Sequence, residues 1–238
     1  MPLYALKEYG EETLNLNETL KYYFGYDSLR PGQQELMEGI LQGKDVLGIM
    51  PTGAGKSLCY QVPALMLTGI TLVISPLISL MSDQVKSLNQ AGVHAAYINS
   101  SLTENQIRTA LSYEANGKYK VIYVAPERLN TMRFLEFACY ADISMVTVDE
   151  AHCISQWGQD FRPSYLEIAG FLAKLPKRPI VSAFTATATE RVKQDITKSL
   201  HLQDPVTVVT GFDRPNLFFR VVNRKGGKET DNSILNYV

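Results

Sequence analysis

The chain has 238 residues, of which 45% are hydrophobic and 20% are charged. This apolar fraction is ordinary for a globular core and excludes a disordered or fibrous chain. The 23 basic and 24 acidic residues give a formal net charge of -1, so the bulk charge does not indicate a nucleic-acid partner.

The first residues, MPLYALKEYGEE, lack the basic start and the apolar run of a secretory signal. No stretch reaches the ~18 apolar residues of a membrane helix, so we expect a soluble intracellular protein without a membrane partner. The cysteines Cys59, Cys139 and Cys153 are scattered without a CxxC pair. Because this spacing provides neither a disulfide framework nor a four-ligand site, no zinc is expected.

The chain begins with two predicted helices, at residues 14–24 and 31–41, the second with Pro31 at its first helical position. From Asp45 onward, short β-branched apolar runs alternate with amphipathic stretches, which is typical of βαβ units around a parallel sheet. The runs predict about seven strands, at residues 46–50, 71–75, 94–98, 119–124, 144–148, 179–184 and 206–209. Crossover helices are predicted at residues 77–90, 104–115, 129–140 and 190–200, the second capped by Thr103 and ended near Asn116 and Gly117.

These elements predict an α/β fold, a mostly parallel sheet with helices on both faces. We divide the chain into an N-terminal helical segment at residues 1–43, the α/β domain at 44–211 and a C-terminal segment at 212–238. The C-terminal segment contains one further strand-like run, at residues 217–222.

A glycine-rich turn with the sequence PTGAGKS follows the first predicted strand and opens a helix. Gly53 and Gly55 permit backbone conformations in which successive N–H groups surround phosphate oxygens. In such a loop, Lys56 reaches the β- and γ-phosphates of a nucleotide and Ser57 binds Mg²⁺. Thr52 belongs to the same loop and completes the predicted nucleotide-binding set.

Two adjacent acids follow another buried strand, where SMVTV runs into DEAH. Asp149 lies where a carboxylate at a strand end can hold Mg²⁺, and Glu150 can orient and deprotonate the attacking water. His152 has no second His or Cys at ligand spacing. We therefore assign it a hydrogen-bonding role near the γ-phosphate.

Each motif also has an interpretation that involves no nucleotide. The strict eight-residue P-loop pattern requires a glycine where this chain has Met50, so a plain turn with a surface lysine stays open. Asp149 and Glu150 alone would fit a pair of solvated loop carboxylates. However, two acids at a strand end are costly without a metal or a partner, and the two motifs together favour the nucleotide site.

The strings PTGAGKS, DEAH and FTATAT resemble motifs I, II and III of superfamily 2 helicases, in which the first P-loop position is commonly not glycine. Further strings narrow the resemblance to the RecQ family of DNA helicases: LKYYFGYDSLRPGQ, SPLISLMSDQV, APERL, DEAHCISQWGQDFRPSY and FDRPN. It covers residues 20–216, most of the chain. The resemblance implies a RecA-like P-loop NTPase lobe, ATP and Mg²⁺ as cofactors, and single-stranded and duplex DNA as partners.

The string LKYYFGYDSLRPGQ resembles the family's motif 0, which recognises adenine. Gln33 has a donor and an acceptor for the N6/N7 edge of adenine, while Tyr26 and Arg30 can stack on the ring or cover it. The alternative is a pair of capped helices whose aromatic residues, 22–24, pack in a core.

The string SQWGQDFRP resembles the family's aromatic-rich loop, which couples single-stranded DNA binding to ATP hydrolysis. Trp157 and Phe161 can stack on unpaired bases, and Arg162 can pair with a phosphate or stack. In FTATAT, Thr185 and Thr187 would link the ATP site to the nucleic-acid face through their hydroxyl groups. Threonine at a strand end is also ordinary β-propensity.

The strings SPLISLMSDQV and APERL resemble motifs Ia and Ib, which contact the DNA backbone. Ser75 and Ser79 can bond phosphates without any net positive charge. Arg128 either contacts a phosphate or pairs with Glu127, and the sequence leaves both open.

A superfamily 2 motor has two RecA-like lobes, and the second supplies an arginine that stabilises the transition state. No QxGRxGR-like motif VI occurs in this chain, and the resemblance implies that residues 212–238 are a linker and the truncated start of the second lobe. We therefore expect the N-terminal lobe of a 3′–5′ ATP-dependent DNA helicase that translocates on single-stranded DNA and unwinds duplexes. This lobe is expected to be monomeric, weak or inactive without a second lobe in cis, and located in the cytoplasm at the bacterial nucleoid or in a eukaryotic nucleus. The alternatives are an RNA-directed DEAH-type lobe, and a P-loop small-molecule kinase or nucleotide-binding module.

Overall fold

The computed structural model describes residues 14–114, 118–158 and 160–211. The predicted helix end at Asn116 and Gly117, the FDRPN string and the strand-like run at 217–222 lie outside the described residues. No helix among the described residues is both long and apolar enough to cross a membrane.

Seven parallel strands form one sheet, with the order β3-β4-β2-β5-β6-β1-β7. The strands are β1 Val46–Ile49, β2 Ile70–Ile74, β3 Ala95–Ile98, β4 Val121–Val124, β5 Ile143–Val148, β6 Ile180–Thr185 and β7 Val206–Val209. All seven coincide with predicted strands to within two residues at each end. The parallel arrangement confirms the prediction, since central strands buried on both faces are near-continuous apolar runs.

Eight helices of the described residues cover the two faces of this sheet. They are α1 Leu16–Phe24, α2 Gln33–Leu41, α3 Lys56–Met66, α4 Ile78–Gln90, α5 Glu104–Glu114, α6 Met132–Tyr140, α7 Glu167–Lys174 and α8 Glu190–Ser199. Side chains of α1 to α4 share one hydrophobic cluster with one face of the strands, and side chains of α5 to α8 share the other. Residues within a strand alternate between the two clusters, as in Val73 and Ile74 of β2.

Local capping chemistry explains where several of these helices begin. Asn15 accepts the Glu18 N–H at 3.1 Å while the Glu18 carboxylate accepts the Asn15 N–H, so α1 starts with a capping box. Thr103 caps α5 as predicted, because its hydroxyl accepts the backbone N–H of Gln106.

The structure corrects the predicted starts of two helices. The residue before α2 is Gly32 in a left-handed conformation, so Pro31 lies in the preceding turn and not at the first helical position. The helix predicted from residue 129 begins at Met132, because residues Pro126–Arg128 form a separate 3₁₀ turn. Proline fixes φ and removes a backbone donor, so it opens such turns as readily as it opens a helix.

The sheet order brings the sequence motifs to one edge. The segments that carry them follow the C-terminal ends of β4, β2, β5, β6 and β1, which are neighbours in that order. In an open parallel α/β sheet, ligands bind outside the carboxyl ends of the strands. The candidate site therefore lies along this edge.

Candidate nucleotide site and aromatic loop

The glycine-rich loop connects β1 to α3 with two residues in the left-handed region, Gly53 and Gly55, both at φ +83°. A Cβ at Gly55 would lie 2.5 Å from the Gln33 side-chain nitrogen, so this position needs glycine for space as well as for φ. No side chain caps the first turn of α3, which begins at Lys56. The Leu58 N–H donates to the Gly55 carbonyl at 3.1 Å, and the N–H groups of Lys56 and Ser57 before it are in position for an anion.

The lysine of this loop lies beside the acids of the DEAH segment, far away in sequence. Lys56 Nζ donates to the Met50 carbonyl at 3.2 Å. Its positive charge lies close enough to both Asp149 and Glu150 to favour their ionised forms. The structure thus brings together the two halves of the predicted nucleotide site.

Asp149 is only 7% exposed at the end of β5. Burial and the neighbouring charge of Glu150 raise the pKa of its carboxyl group to about 6, against the lowering effects of the Glu150 N–H, Lys56 and Ser75. The Glu150 N–H donates to Asp149 Oδ1 at 3.0 Å. A buried carboxylate with this raised pKa is a site that a cation would stabilise.

The residues fit Mg²⁺ bound to a nucleotide. Mg²⁺ usually takes one or two carboxylates together with waters and substrate phosphates. Asp149 provides such a carboxylate, and Ser57, partly exposed at the start of α3, provides a hydroxyl. Among residues 14–114, 118–158 and 160–211, no group of three or more His, Cys, Asp and Glu side chains could hold a metal ion on its own.

Glu150 has a left-handed backbone conformation, with φ 48° and ψ 45°. A non-glycine residue in this region costs on the order of 1 kcal/mol, a strain that is common at functional sites. Its carbonyl accepts the Cys153 N–H at 2.9 Å. The hydrogen bond from His152 lowers the pKa of the Glu150 carboxyl group, so this group is ionised and suited to accept a proton.

His152 bridges the DEAH segment and the end of β6. Its Nδ1 lies 2.8 Å from Thr185 Oγ1 and 3.3 Å from Glu150 Oε2. The Thr185 hydroxyl donates to the Thr187 carbonyl at 3.1 Å, so its single proton is used there and His152 Nδ1 carries the proton that both neighbours accept. Contact with the Cys153 sulfur and the hydrogen bond with Glu150 raise the pKa of His152 to about 9.

The FTATAT string predicted that hydroxyl groups of Thr185 and Thr187 link the candidate ATP site to the nucleic-acid face. Thr185 is fully buried and its hydroxyl contacts His152, so it provides this link next to the DEAH segment. Thr187 is exposed, and its contacts with Thr185 are made by its backbone. Its role at the nucleic-acid face stays a prediction.

The three residues predicted to bind adenine divide into two groups. Gln33 is 1% exposed; its Oε1 accepts the Arg30 N–H at 2.8 Å, and its Nε2 donates to the carbonyls of Ala54 and Gly55. The Arg30 guanidinium donates to the Gly53 carbonyl. Tyr26 is half exposed and apart from these contacts. Arg30 and Gln33 therefore hold the glycine-rich loop, and adenine recognition by Gln33 requires these contacts to open.

In the aromatic loop, Trp157 is 62% exposed, as a base-stacking role requires. Phe161 is partly buried. Arg162 pairs with Asp160 at 2.8 Å and donates to the Pro76 carbonyl at 3.0 Å, so it ties the loop to the segment after β2. Its predicted phosphate contact stays a prediction.

The candidate backbone-contact residues differ in their access to solvent. Ser79 is exposed at the start of α4, whereas Ser75 is 1% exposed and lies beside Asp149, away from any phosphate backbone at the surface. Arg128 pairs with Glu104 at 3.8 Å, so the suggested pair with Glu127 is wrong. The folded chain brings Glu104 to Arg128 from the start of α5, a contact that local sequence does not indicate.

Sequence reasoning missed three residues that support the site. Tyr165 is fully buried and its hydroxyl donates to the Asp149 carbonyl at 2.9 Å, which fixes the backbone between the two acids. Arg191 and Asp195 of α8 contact the aromatic loop. Each is a common residue type in an ordinary helix or turn, and no local pattern distinguishes it.

The glycine-rich loop before α3 and the acids after β5, on one edge of a parallel sheet, define a RecA-like P-loop NTPase lobe. The family model described as DEAD/DEAH box helicase matches residues 30–196, and the chain belongs to that family. It is 49% identical over 220 residues to the ATP-dependent DNA helicase RecQ of Bacillus subtilis, covering 92% of this chain and 37% of that protein. It is 47% identical over 207 residues to the Pasteurella multocida protein of the same name, covering 87% of this chain and 33% of that protein.

The chain thus spans about a third of the length of these relatives. Among solved structures, the helicase domain of Pyrococcus furiosus Hef superposes with a TM-score of 0.58 at 20% identity, over 76% of this chain and 38% of that one. This likeness confirms the predicted fold.

Proposed function

We propose that this chain is the N-terminal motor lobe of an ATP-dependent DNA helicase that moves 3′ to 5′ on single-stranded DNA and unwinds duplexes. The observation that carries the proposal is the continuous segment from Asp149 to Trp157. It begins with acids beside Lys56 and ends with an exposed aromatic ring. ATP chemistry and base stacking therefore meet within one short stretch. The relatives named as DNA helicases support the same function.

Each site residue has a defined part in ATP hydrolysis. Lys56 and the free N–H groups of α3 bind the phosphates, while Ser57 and Asp149 hold Mg²⁺, which neutralises charge on the phosphates when bound. Glu150, ionised through its hydrogen bond with His152, orients the attacking water and accepts its proton. His152 holds that carboxylate in place and Thr185 holds His152.

A second RecA-like lobe in cis completes the motor in this proposal. In P-loop enzymes, an arginine that stabilises the transition state contributes about 10³ to 10⁵ in rate. The 238-residue chain on its own is therefore expected to bind ATP weakly, as a monomer, and to hydrolyse it very slowly. We expect the native protein to act in the cytoplasm at the bacterial nucleoid, or in a eukaryotic nucleus.

The test uses one catalytic variant and two nucleic acids. Glu150→Gln should retain binding of a fluorescent ATP analogue and lose hydrolysis, because the amide cannot accept the proton. In a protein that contains both lobes, oligothymidylate should stimulate ATP hydrolysis more than oligouridylate does. Equal or greater stimulation by RNA would favour the RNA-directed alternative. A small-molecule kinase or simple nucleotide-binding module would respond to neither, and Trp157→Ala would leave its activity unchanged.

A further inference from the structure

One face of the exposed Trp157 ring is already covered by the protein. The Arg191 guanidinium, in the first turn of α8, lies over the indole with its Cζ 3.7 Å from the ring centroid. Trp157 is nevertheless 62% exposed, so the accessible area is the opposite face and the ring edge. Guanidinium groups stack favourably on indole faces. The structure thus presents a ring with one face occupied and the other open.

The start of the aromatic loop, at Ser155, is hydrogen-bonded to the same helix, α8. The Ser155 hydroxyl donates to Asp195 Oδ2 at 2.6 Å and accepts the Trp157 N–H at 3.1 Å. Ser155 is 2% exposed and Asp195 is partly exposed, so the network is buried at its serine end. Arg191 and Asp195 are four positions apart and therefore lie on one face of α8.

The aromatic loop that makes these two contacts with α8 is a tight turn, so its backbone has little conformational freedom. The Gly158 N–H donates to the Ser155 carbonyl at 2.9 Å. A Cβ at Gly158 would lie 2.2 Å from the His152 carbonyl oxygen, so only glycine fits this tight turn. The position of the indole is therefore set by its contacts with α8 and by a tight turn, not by burial in the core.

We propose that Arg191 and Asp195 are positioning residues that hold Trp157 in place, so that an unpaired base stacks on its open face while Arg191 backs the other face. The inference rests on the proposed function and deepens it, since it names the elements that prepare the aromatic loop for single-stranded DNA. Removing either contact should loosen the ring before any DNA binds. Binding would then have to order the ring, which weakens affinity.

The same arrangement links the loop to the catalytic acids. Helix α8 follows β6, and the last residue of β6, Thr185, contacts His152 beside Glu150. The segment from His152 to Trp157 is thus held by β6 at one end and by α8 at the other. A nucleobase that moves Trp157 would therefore also act on β6 and α8, the two elements that hold the segment from His152 to Trp157.

Trp157 is the only tryptophan in the chain, so its fluorescence reports on this loop alone. In DNA-free protein, Arg191→Ala should raise the acrylamide quenching constant by about twofold, because both ring faces become accessible. Arg191→Lys should restore part of the protection, since an ammonium group also stacks on indole. The charge-matched control is Lys86→Ala, at an exposed position of α4, which should match the wild-type chain.

The Asp195 contact is tested by a double-mutant cycle. Asp195→Ala and Ser155→Ala should each lower the fluorescence anisotropy of Trp157. Ser155→Ala should have the larger effect, because it also removes the acceptor of the Trp157 N–H, and the double variant should equal Ser155→Ala. Asp195→Asn, which keeps an acceptor oxygen, should retain most of the anisotropy. Arg191 is exposed, so the Arg191 series decides the matter if Asp195→Ala fails to fold.

A final titration with an oligothymidylate of about 16 nucleotides separates this proposal from the proposed function. Quenching by DNA should occur in the wild-type chain, with Kd about two- to fivefold weaker in Arg191→Ala. No response of the wild-type chain to DNA would contradict DNA binding, while the DNA-free measurements would still decide the positioning role. Unchanged acrylamide quenching and anisotropy in the variants would overturn the inference.

Discussion

The imidazole Nδ1 of His152 lies 2.8 Å from the Thr185 hydroxyl, and this contact joins the DEAH segment to the end of β6. Thr185 also accepts the Thr187 N–H at 3.3 Å and donates to the Thr187 carbonyl. One buried hydroxyl therefore organises both His152, which contacts Glu150, and the turn that leads into α8.

Replacing Thr185 with valine should test this organising role. The variant keeps the shape of the side chain but leaves the Thr187 N–H without its acceptor and His152 with Glu150 alone, which should cost about 1 to 3 kcal/mol of unfolding free energy in urea. The matched control is Thr187→Val, whose side chain is exposed and outside the contact, with an expected change within about 0.5 kcal/mol. Equal losses in the two variants would contradict the assignment.

The raised pKa of His152 predicts a pH dependence of stability. Its folded value is about 9 and the ordinary value is 6.5, so protonation favours the folded state. The stabilisation is present in full below pH 6.5 and is lost as the pH rises toward 9. In metal-free protein, NMR titration of the three imidazoles should show one resonance that titrates near pH 9. That resonance should be missing in His152→Gln, and the loss of stability above pH 6.5 should become smaller.

The two glycines of the phosphate loop form a matched pair. Gly53→Ala and Gly55→Ala both place a side chain at φ +83°, which costs about 1 to 2 kcal/mol in the left-handed region. Only the Cβ at Gly55 meets another group, the Gln33 amide, whereas the Cβ at Gly53 has nothing within 4 Å. Urea unfolding should show the larger loss for Gly55→Ala, by about 1 kcal/mol or more. Adding Gln33→Ala should remove the difference.

At the opposite edge of the sheet, Asp45 holds several segments together. It is 2% exposed, pairs with Arg178 at 2.5 Å and accepts the N–H groups of Val181 and Gln203. Asp45→Ala should lower the unfolding free energy by about 3 to 5 kcal/mol, because a buried network loses its acceptor. Arg178→Met should cost less, since the two backbone donors still satisfy the carboxylate. The reverse order in urea unfolding would show that the ion pair dominates.

The sheet was predictable because its strands are short buried runs of apolar residues. Val206–Val209 has the predicted bounds, and the others differ by one or two residues. Helix starts were less predictable, because turn chemistry competes with helix capping. Pro31 and Pro126 each lie in a tight turn that the proline favours without starting an α-helix.

The candidate site was predictable where its residues directly follow strands. Asp149 and Lys56 follow apolar runs that fix their position at one edge. Contacts between elements that are distant in the sequence were not predictable, and Arg191 and Asp195 on α8 are examples. A charged residue on an amphipathic helix is common, and only the folded chain shows that this face of α8 meets the aromatic loop.

The strand order sets a distance between the two ends of the functional edge. From β1, which precedes the phosphate loop, to β4, which precedes APERL, the sheet crosses four inter-strand spacings. At about 4.8 Å each, this separation is roughly 19 Å, longer than an ATP triphosphate chain. In the proposed function, a triphosphate in the loop would not reach a DNA strand lying over β4, so any influence of one on the other would pass through β6, β5 and β2 between them.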